Sequence, residues 1–145
     1  MQPPISSTSE KTKAELAEHQ LDRAIRLFLE EKDYVCAITL AGAAEEIFGK
    51  LLENQGLKPA LASVVDACVD MGQKIYKEAW PRKGFVAMEN SYRDGLKHIT
   101  DGNPLTVTRE AAVEIIDRAV QNYVALGIYR SQCVQNYLSA MHSAA

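Results

Sequence analysis

Apolar residues recur along this chain at intervals of three and four, the period of an α-helix, and nowhere alternate as a strand requires. No Asn-Gly hairpin signal is present. The pattern predicts five helices. The first starts at Thr12, which with Glu15 makes a capping box, and runs to about Glu31; Ala17, Leu21, Ala24, Ile25 and Phe28 form its apolar stripe. Asp33 caps the second, which runs through YVCAITLAGAAEEIFGKLLENQ and stops at Gly56. Its inward positions are Val35, Ile38, Ala41, Ala44, Ile47 or Phe48, and Leu51. The stretch Ala41-Gly-Ala-Ala44 has almost no side-chain bulk, so a neighbour can approach closely there. That compensates for Gly42 and Gly49, each of which costs a helix about 1 kcal/mol relative to alanine.

Pro59 suits the first turn of a third helix, whose stripe is Leu61, Val64 or Val65, Cys68, Met71 or Gly72, and Ile75. Trp80-Pro-Arg-Lys-Gly84 interrupts it. Phe85, Met88, Tyr92, Leu96 and Ile99 define a fourth helix, ended by Asp101-Gly-Asn-Pro104. Thr108 caps the fifth. Val113, Ile116, Val120, Tyr123, Gly127, Val134, Tyr137 and Met141 keep one register through it, with Arg130 as the charged interruption. This predicts a single helix of roughly 30 residues, longer than a bundle of this size needs, whose C-terminal half projects or packs on a partner chain. The expected fold is all-α, a four- to five-helix up-down bundle with a long C-terminal helix. It forms one domain over residues 12–145, after a disordered lead over residues 1–11.

Composition narrows the function. A chain of 145 residues, 47% hydrophobic and 24% charged, is ordinary for a soluble globular domain. No apolar run approaches the roughly 20 residues of a membrane span. The start, MQPPISSTSEKTK, has no apolar region of a secretory signal, so a cytoplasmic location is expected. Cys36, Cys68 and Cys133 are odd in number and far apart, and read as reduced, mostly buried thiols. His19, His98 and His142 fit no metal-ligand spacing, and no metal or other cofactor is expected. A net charge of −3 and a pI of about 5.6 argue against broad, sequence-independent nucleic-acid binding. A local basic cluster remains in Lys74, Lys77, Arg82, Lys83, Arg93 and Lys97, set against Glu78, Glu89 and Asp94.

Candidate chemistry gathers in NSYRDGLKHITDGNP, residues 90–104. At about 100° per residue, a straight fourth helix presents a polar face with Asn90, Arg93, Asp94, Lys97 and His98. Arg93 and His98 diverge by roughly 140°, so a second chain has to complete any pocket they share. Asp94 and His98 stand at i and i+4, where a carboxylate holds the imidazole ring and suits it to proton transfer near neutrality. Arg93 offers a planar fork for phosphate, and Lys97 a point charge. These parts suit metal-free RNA cleavage, in which the substrate's own 2′-OH attacks. The same residues also fit a plain solvated face: Glu89 and Arg93 are an i, i+4 pair, and His98 in the last turn favours the helix dipole. Gly95 edges the apolar stripe and leaves room for another helix. Trp80, Phe85 and Tyr92 fit a core, or less readily a small-molecule pocket.

An all-α chain of this size carrying Arg93, Asp94, Gly-Leu-Lys and His98 resembles a HEPN domain. Ala41-Gly-Ala-Ala-Glu-Glu46 is compatible with that family's earlier core helices, and the resemblance covers roughly residues 12–126. It implies a helical bundle, usually dimeric. In many members the Arg and His of both subunits line a cleft at the interface and cleave RNA without metal. Such members are often toxins paired with a nucleotidyltransferase antitoxin, or parts of defence systems; others have lost the site and serve as binding or assembly domains. On this resemblance Arg93 binds phosphate, His98 is the general acid/base, Asp94 fills the polar position after the arginine, and Asn90 and Lys97 flank the substrate. Either Glu45 or Glu46 supports the site from the second helix. Three departures stand out: the chain is acidic, Gly95 weakens the helix inside the motif, and a long tail after Gly127 is placed to cover the cleft. The expectations are a metal-independent endoribonuclease or, alternatively, a non-catalytic helical dimerisation or interaction module.

Overall fold

Side-chain caps start three helices at the predicted places. Thr12 Oγ1 accepts the Glu15 amide, Asp33 Oδ1 the Cys36 amide and Thr108 Oγ1 the Ala111 amide, each at 3.1 Å. Each cap satisfies a donor that a helix start otherwise leaves bare. The computed structural model describes residues 10–98 and 102–143, and among them the regular structure is entirely helical. The elements are α1 (Lys13–Arg26), α2 (Tyr34–Asn54), α3 (Ala60–Met71), α4 (Arg82–Glu89), α5 (Ser91–Lys97), α6 (Arg109–Ala125) and α7 (Gln132–Ser143). Single π-helical turns extend α1 through Leu27–Glu31 and α3 through Gly72–Tyr76. Most of the expected disordered lead, together with Ile99 and Asp101, lies outside the described residues. No helix among those described is long and apolar enough to cross a membrane.

The core forms where α2 packs along α1 and α6, and α1 also meets α6 and α7. The predicted stripe of α1 is buried throughout, as are Ile38, Ala41, Ala44 and Phe48 of α2. Phe48 meets Tyr123 edge-on with ring centroids 5.7 Å apart, and Phe28 meets Tyr137 at 5.8 Å. Gly56, at φ +74°, ends α2 as expected.

Several sequence readings need correction. The predicted long last helix is two helices. Gly127 takes φ +80°, its amide bonds to the Val124 carbonyl, and Ile128 bonds back to Tyr123. This closure terminates α6 in a conformation that glycine adopts without strain. Ser131 Oγ then accepts the Val134 amide at 3.1 Å and starts α7. α7 does not project: it folds back onto α1, burying Val134 and Tyr137. Arg130 is no interruption of a helix. It lies in the turn, with Nε donating at 2.9 Å to the buried carboxylate of Glu18, which also accepts from Tyr123 Oη at 3.0 Å.

The predicted fourth helix is likewise broken, into α4 and α5 at Asn90, and it starts at Arg82 directly after Pro81. In α3 the buried register is Ala60, Val65 and then Gly72 of the π turn, while Val64, Met71 and Ile75 are exposed. Val35 is 47% exposed rather than inward. The cysteines are free, yet only Cys133 is buried; Cys36 is exposed and Cys68 half-buried. Trp80 stacks between Tyr76 and Phe85, with Gly72 beneath the indole, while Tyr92 packs on the main core, so those aromatics fill space rather than line a shared pocket.

Candidate functional site

Glu45 on α2 and Arg118 on α6 face each other inside the bundle, their side chains only 4% and 5% exposed. Arg118 Nη2 donates to Glu45 Oε2 at 2.7 Å and to Asn90 Oδ1 at 2.9 Å, and Nη1 donates to the Glu89 carbonyl at 2.9 Å. A buried ion pair repays its desolvation only when such additional bonds surround it. Here they explain the broken helix: Arg118 takes up the last carbonyl of α4 and the side chain of the joint residue. Asn90, expected on the solvated face, is therefore buried.

Past that joint, the helix phase turns Arg93 inward. Its aliphatic portion lies over Gly42. A Cβ at position 42 would stand 2.6 Å from Arg93 Cδ and 2.7 Å from Cγ, closer than packed carbons come. The small stretch of α2 thus admits an arginine from α5. The Arg93 guanidinium lies 3.8 Å from Glu45 and 3.6 Å from Asp94, and its side chain is 12% exposed. Glu45 is therefore the second-helix acid beneath the motif arginine. Glu46 is on the outside, 3.9 Å from Lys97. Gly42→Val is expected to unseat Arg93 and destabilise the fold by about 1–3 kcal/mol in urea unfolding. Unchanged stability would show that Arg93 is not held against α2.

His98 lies beyond the end of α5 in extended backbone, with its side chain exposed and its amide bonded to the Asp94 carbonyl at 2.9 Å. Among the described residues no ion pair joins Asp94 to His98, so the expected bracing of the imidazole is not made. The cause is geometric. α5 stops at Lys97, and the Asp94 carboxylate turns back toward Arg93. Gly95 accommodates a loop residue, Leu105, rather than a second helix.

A cleft of about 240 Å³ opens beside Arg93, lined by Glu45, Glu46, Lys50, Glu53, Arg82 and Arg93 among others. Its three acids balance its three bases. Lys50 pairs with Glu53 at 3.3 Å, and Arg82 with Asp66. Elsewhere in the predicted basic cluster, Lys74 pairs with Asp70 at 3.0 Å. Lys58 and Arg82 hold the Asp66 carboxyl below its usual range. The cluster is thus interleaved with acids and sets up no continuous positive surface of the kind that draws phosphates. Among the described residues no three His, Cys, Asp or Glu side chains converge as a metal site requires.

Sequence reasoning missed Arg118 and Asn122. Asn122 Oδ1 accepts the Ala60 amide at 2.8 Å and so ties the start of α3 to the bundle. The available signal was register: Arg118 and Asn122 follow Ile115 by three and seven residues, on the apolar face of α6. Polar residues on such a face call for buried partners. A second buried network joins Glu18, Tyr123 and Arg130, and burial pushes the Tyr123 hydroxyl up to about 12, keeping it a neutral donor to Glu18. Searches against protein families, curated proteins and solved structures found no match to this chain.

Proposed function

We propose that the chain is a non-catalytic helical interaction module of HEPN-like build. One observation carries the reading. The unit made by α3, its π turn and α4 leaves Val64, Met71, Ile75, Tyr76 and Met88 exposed, while α3 and the turn bury only Ala60, Val65 and Gly72 and α4 buries none of its residues. Apolar surface gathered on one unit in this way marks an interaction site. The motif residues support the same reading. The Arg93 side chain is only 12% exposed and lies at ion-pair distance from Glu45 and Asp94, 3.8 and 3.6 Å, with its Nε hydrogen-bonded to neither, and His98 lacks the carboxylate that would orient it. The pairing of an α5 arginine with an α2 glutamate supports the HEPN-like build.

A metal-independent endoribonuclease, of toxin or defence type and paired with a nucleotidyltransferase-type antitoxin, is the second reading. It is favoured by the cleft beside Arg93 and by the exposed Lys97 and His98 that follow on the same segment. A cleavage assay on total cellular RNA with a chelator present, comparing wild type with His98→Ala, separates the two. The expected result is no cleavage by either protein. Cleavage by wild type that vanishes in His98→Ala overturns the module reading and makes His98 a catalytic residue.

A further inference from the structure

We infer that the cleft beside Arg93 binds an α-amino acid with an apolar side chain, its carboxylate on the Arg93 guanidinium and its ammonium on the Glu46 carboxylate. Gly42, Glu46, Gly49 and Glu53 are spaced four, three and four residues apart and form one stripe of α2. The stem of Arg93 lies over Gly42, and Glu46 stands one turn, roughly 6 Å, further along the same stripe. The two charges are therefore placed at one end of the cleft. Gly49, on the next turn, leaves the space beside them open. A Cβ there would meet Asn122 and Pro59 at 3.6 Å, ordinary van der Waals contact, so packing alone does not call for a glycine. Leu61 and Ala62 of α3 and Val86 of α4 supply an apolar wall for a ligand side chain. At about 240 Å³ the cleft is smaller than the pockets of about 300–1,000 Å³ that take larger ligands, and suits a small molecule.

The charges select the ligand. Lys50 and Glu53 pair with each other, Arg82 with Asp66, and Glu45 with Arg118. Two groups are left over. Arg93 Nε is buried with no hydrogen-bond acceptor among the described residues; the carboxylates around the guanidinium, Asp94 at 3.6 Å and Glu45 at 3.8 Å, stand beyond hydrogen-bond distance. The Glu46 carboxylate faces only Lys97, at 3.9 Å. A buried donor without an acceptor costs free energy, and a guanidinium takes a carboxylate through two parallel bonds. Phosphate fits less well, because the three carboxylates that line the cleft oppose a dianion. A zwitterion meets those carboxylates with a positive charge of its own, and its net charge of zero matches a lining of three acids and three bases. The inference goes beyond the module reading and does not depend on it.

Isothermal titration calorimetry of the full chain with leucine, valine and methionine in turn tests this. Saturable one-to-one binding with a Kd of about 1 mM or tighter is expected for at least one of them. For the amino acid that binds, the analogue without its ammonium (4-methylpentanoate in place of leucine) and the analogue without its carboxylate (3-methylbutylamine) are each expected to bind about tenfold more weakly, since each leaves one charge of the cleft unmet. Glu46→Gln, at a side chain 55% exposed, is expected to weaken the amino acid about tenfold and to leave the analogue without ammonium unchanged. Arg93→Lys keeps the charge, loses the fork and is expected to weaken both. If Arg93→Lys disturbs the fold, Glu46→Gln and the analogues decide alone. No saturable binding of any of the three up to about 10 mM overturns the inference. Binding indifferent to Glu46→Gln overturns it as well, by placing the ligand elsewhere. So does inorganic phosphate that binds where the amino acids do not, which turns the cleft into the anion site of the ribonuclease reading. The module reading is judged separately, by RNA cleavage: a chain that neither binds amino acids nor cleaves RNA loses only this inference.

Discussion

Arg118→Ala is expected to destabilise the protein by about 3–5 kcal/mol, a large share of what holds a domain of this size together. The substitution strips the Glu45 carboxylate of its 2.7 Å partner inside the bundle and leaves the Glu89 carbonyl and Asn90 Oδ1 without their donor. Arg93 is the remaining nearby cation, and at 3.8 Å it does not replace the lost bonds. Glu45→Ala is expected to cost a similar amount, because it leaves the Arg118 charge buried. The double variant should lose less than the sum of the two, by about 1–3 kcal/mol, since each single change already breaks the same pair. Urea unfolding of all four proteins measures this. A loss below about 1 kcal/mol for Arg118→Ala would mean that water reaches the pair and that it behaves as a surface ion pair.

Tyr137→Ala is expected to cost about 3–5 kcal/mol as well. Tyr137 is fully buried, its ring edge packs on Phe28, and its hydroxyl donates to Asp117 Oδ1 at 2.6 Å. Burial, and then this bond to Asp117, push the hydroxyl well above the ordinary tyrosine range, so it stays protonated and donating. Tyr137→Phe removes only the bond and is expected to cost about 1–2 kcal/mol. The pair of variants asks whether α7 belongs to the core. In a projecting C-terminal helix both substitutions would fall within about 0.5 kcal/mol of wild type.

What the sequence determined by itself was local. The three caps at Thr12, Asp33 and Thr108, the stop at Gly56, the helical class and the buried stripe of α1 each depend on contacts within a turn or two of chain, which periodicity and capping chemistry record. Tertiary structure decided the rest. The seven-residue register that links Tyr123 to Val134 and Tyr137 holds whether the chain runs straight or folds back at Gly127, because both halves bury the same kind of side chain. The turn is set by Glu18, Asp22 and Ser131, partners more than 100 residues apart. The break at Asn90 and the inward turn of Arg93 follow from Arg118, on another helix. A helical wheel drawn through Asn90 therefore puts Arg93 on the outer face with His98, whereas the folded chain seats it against Gly42 and leaves His98 outside. Spacing along one helix reports which residues share a face only while that helix stays unbroken, and here a buried charge from a distant segment broke it.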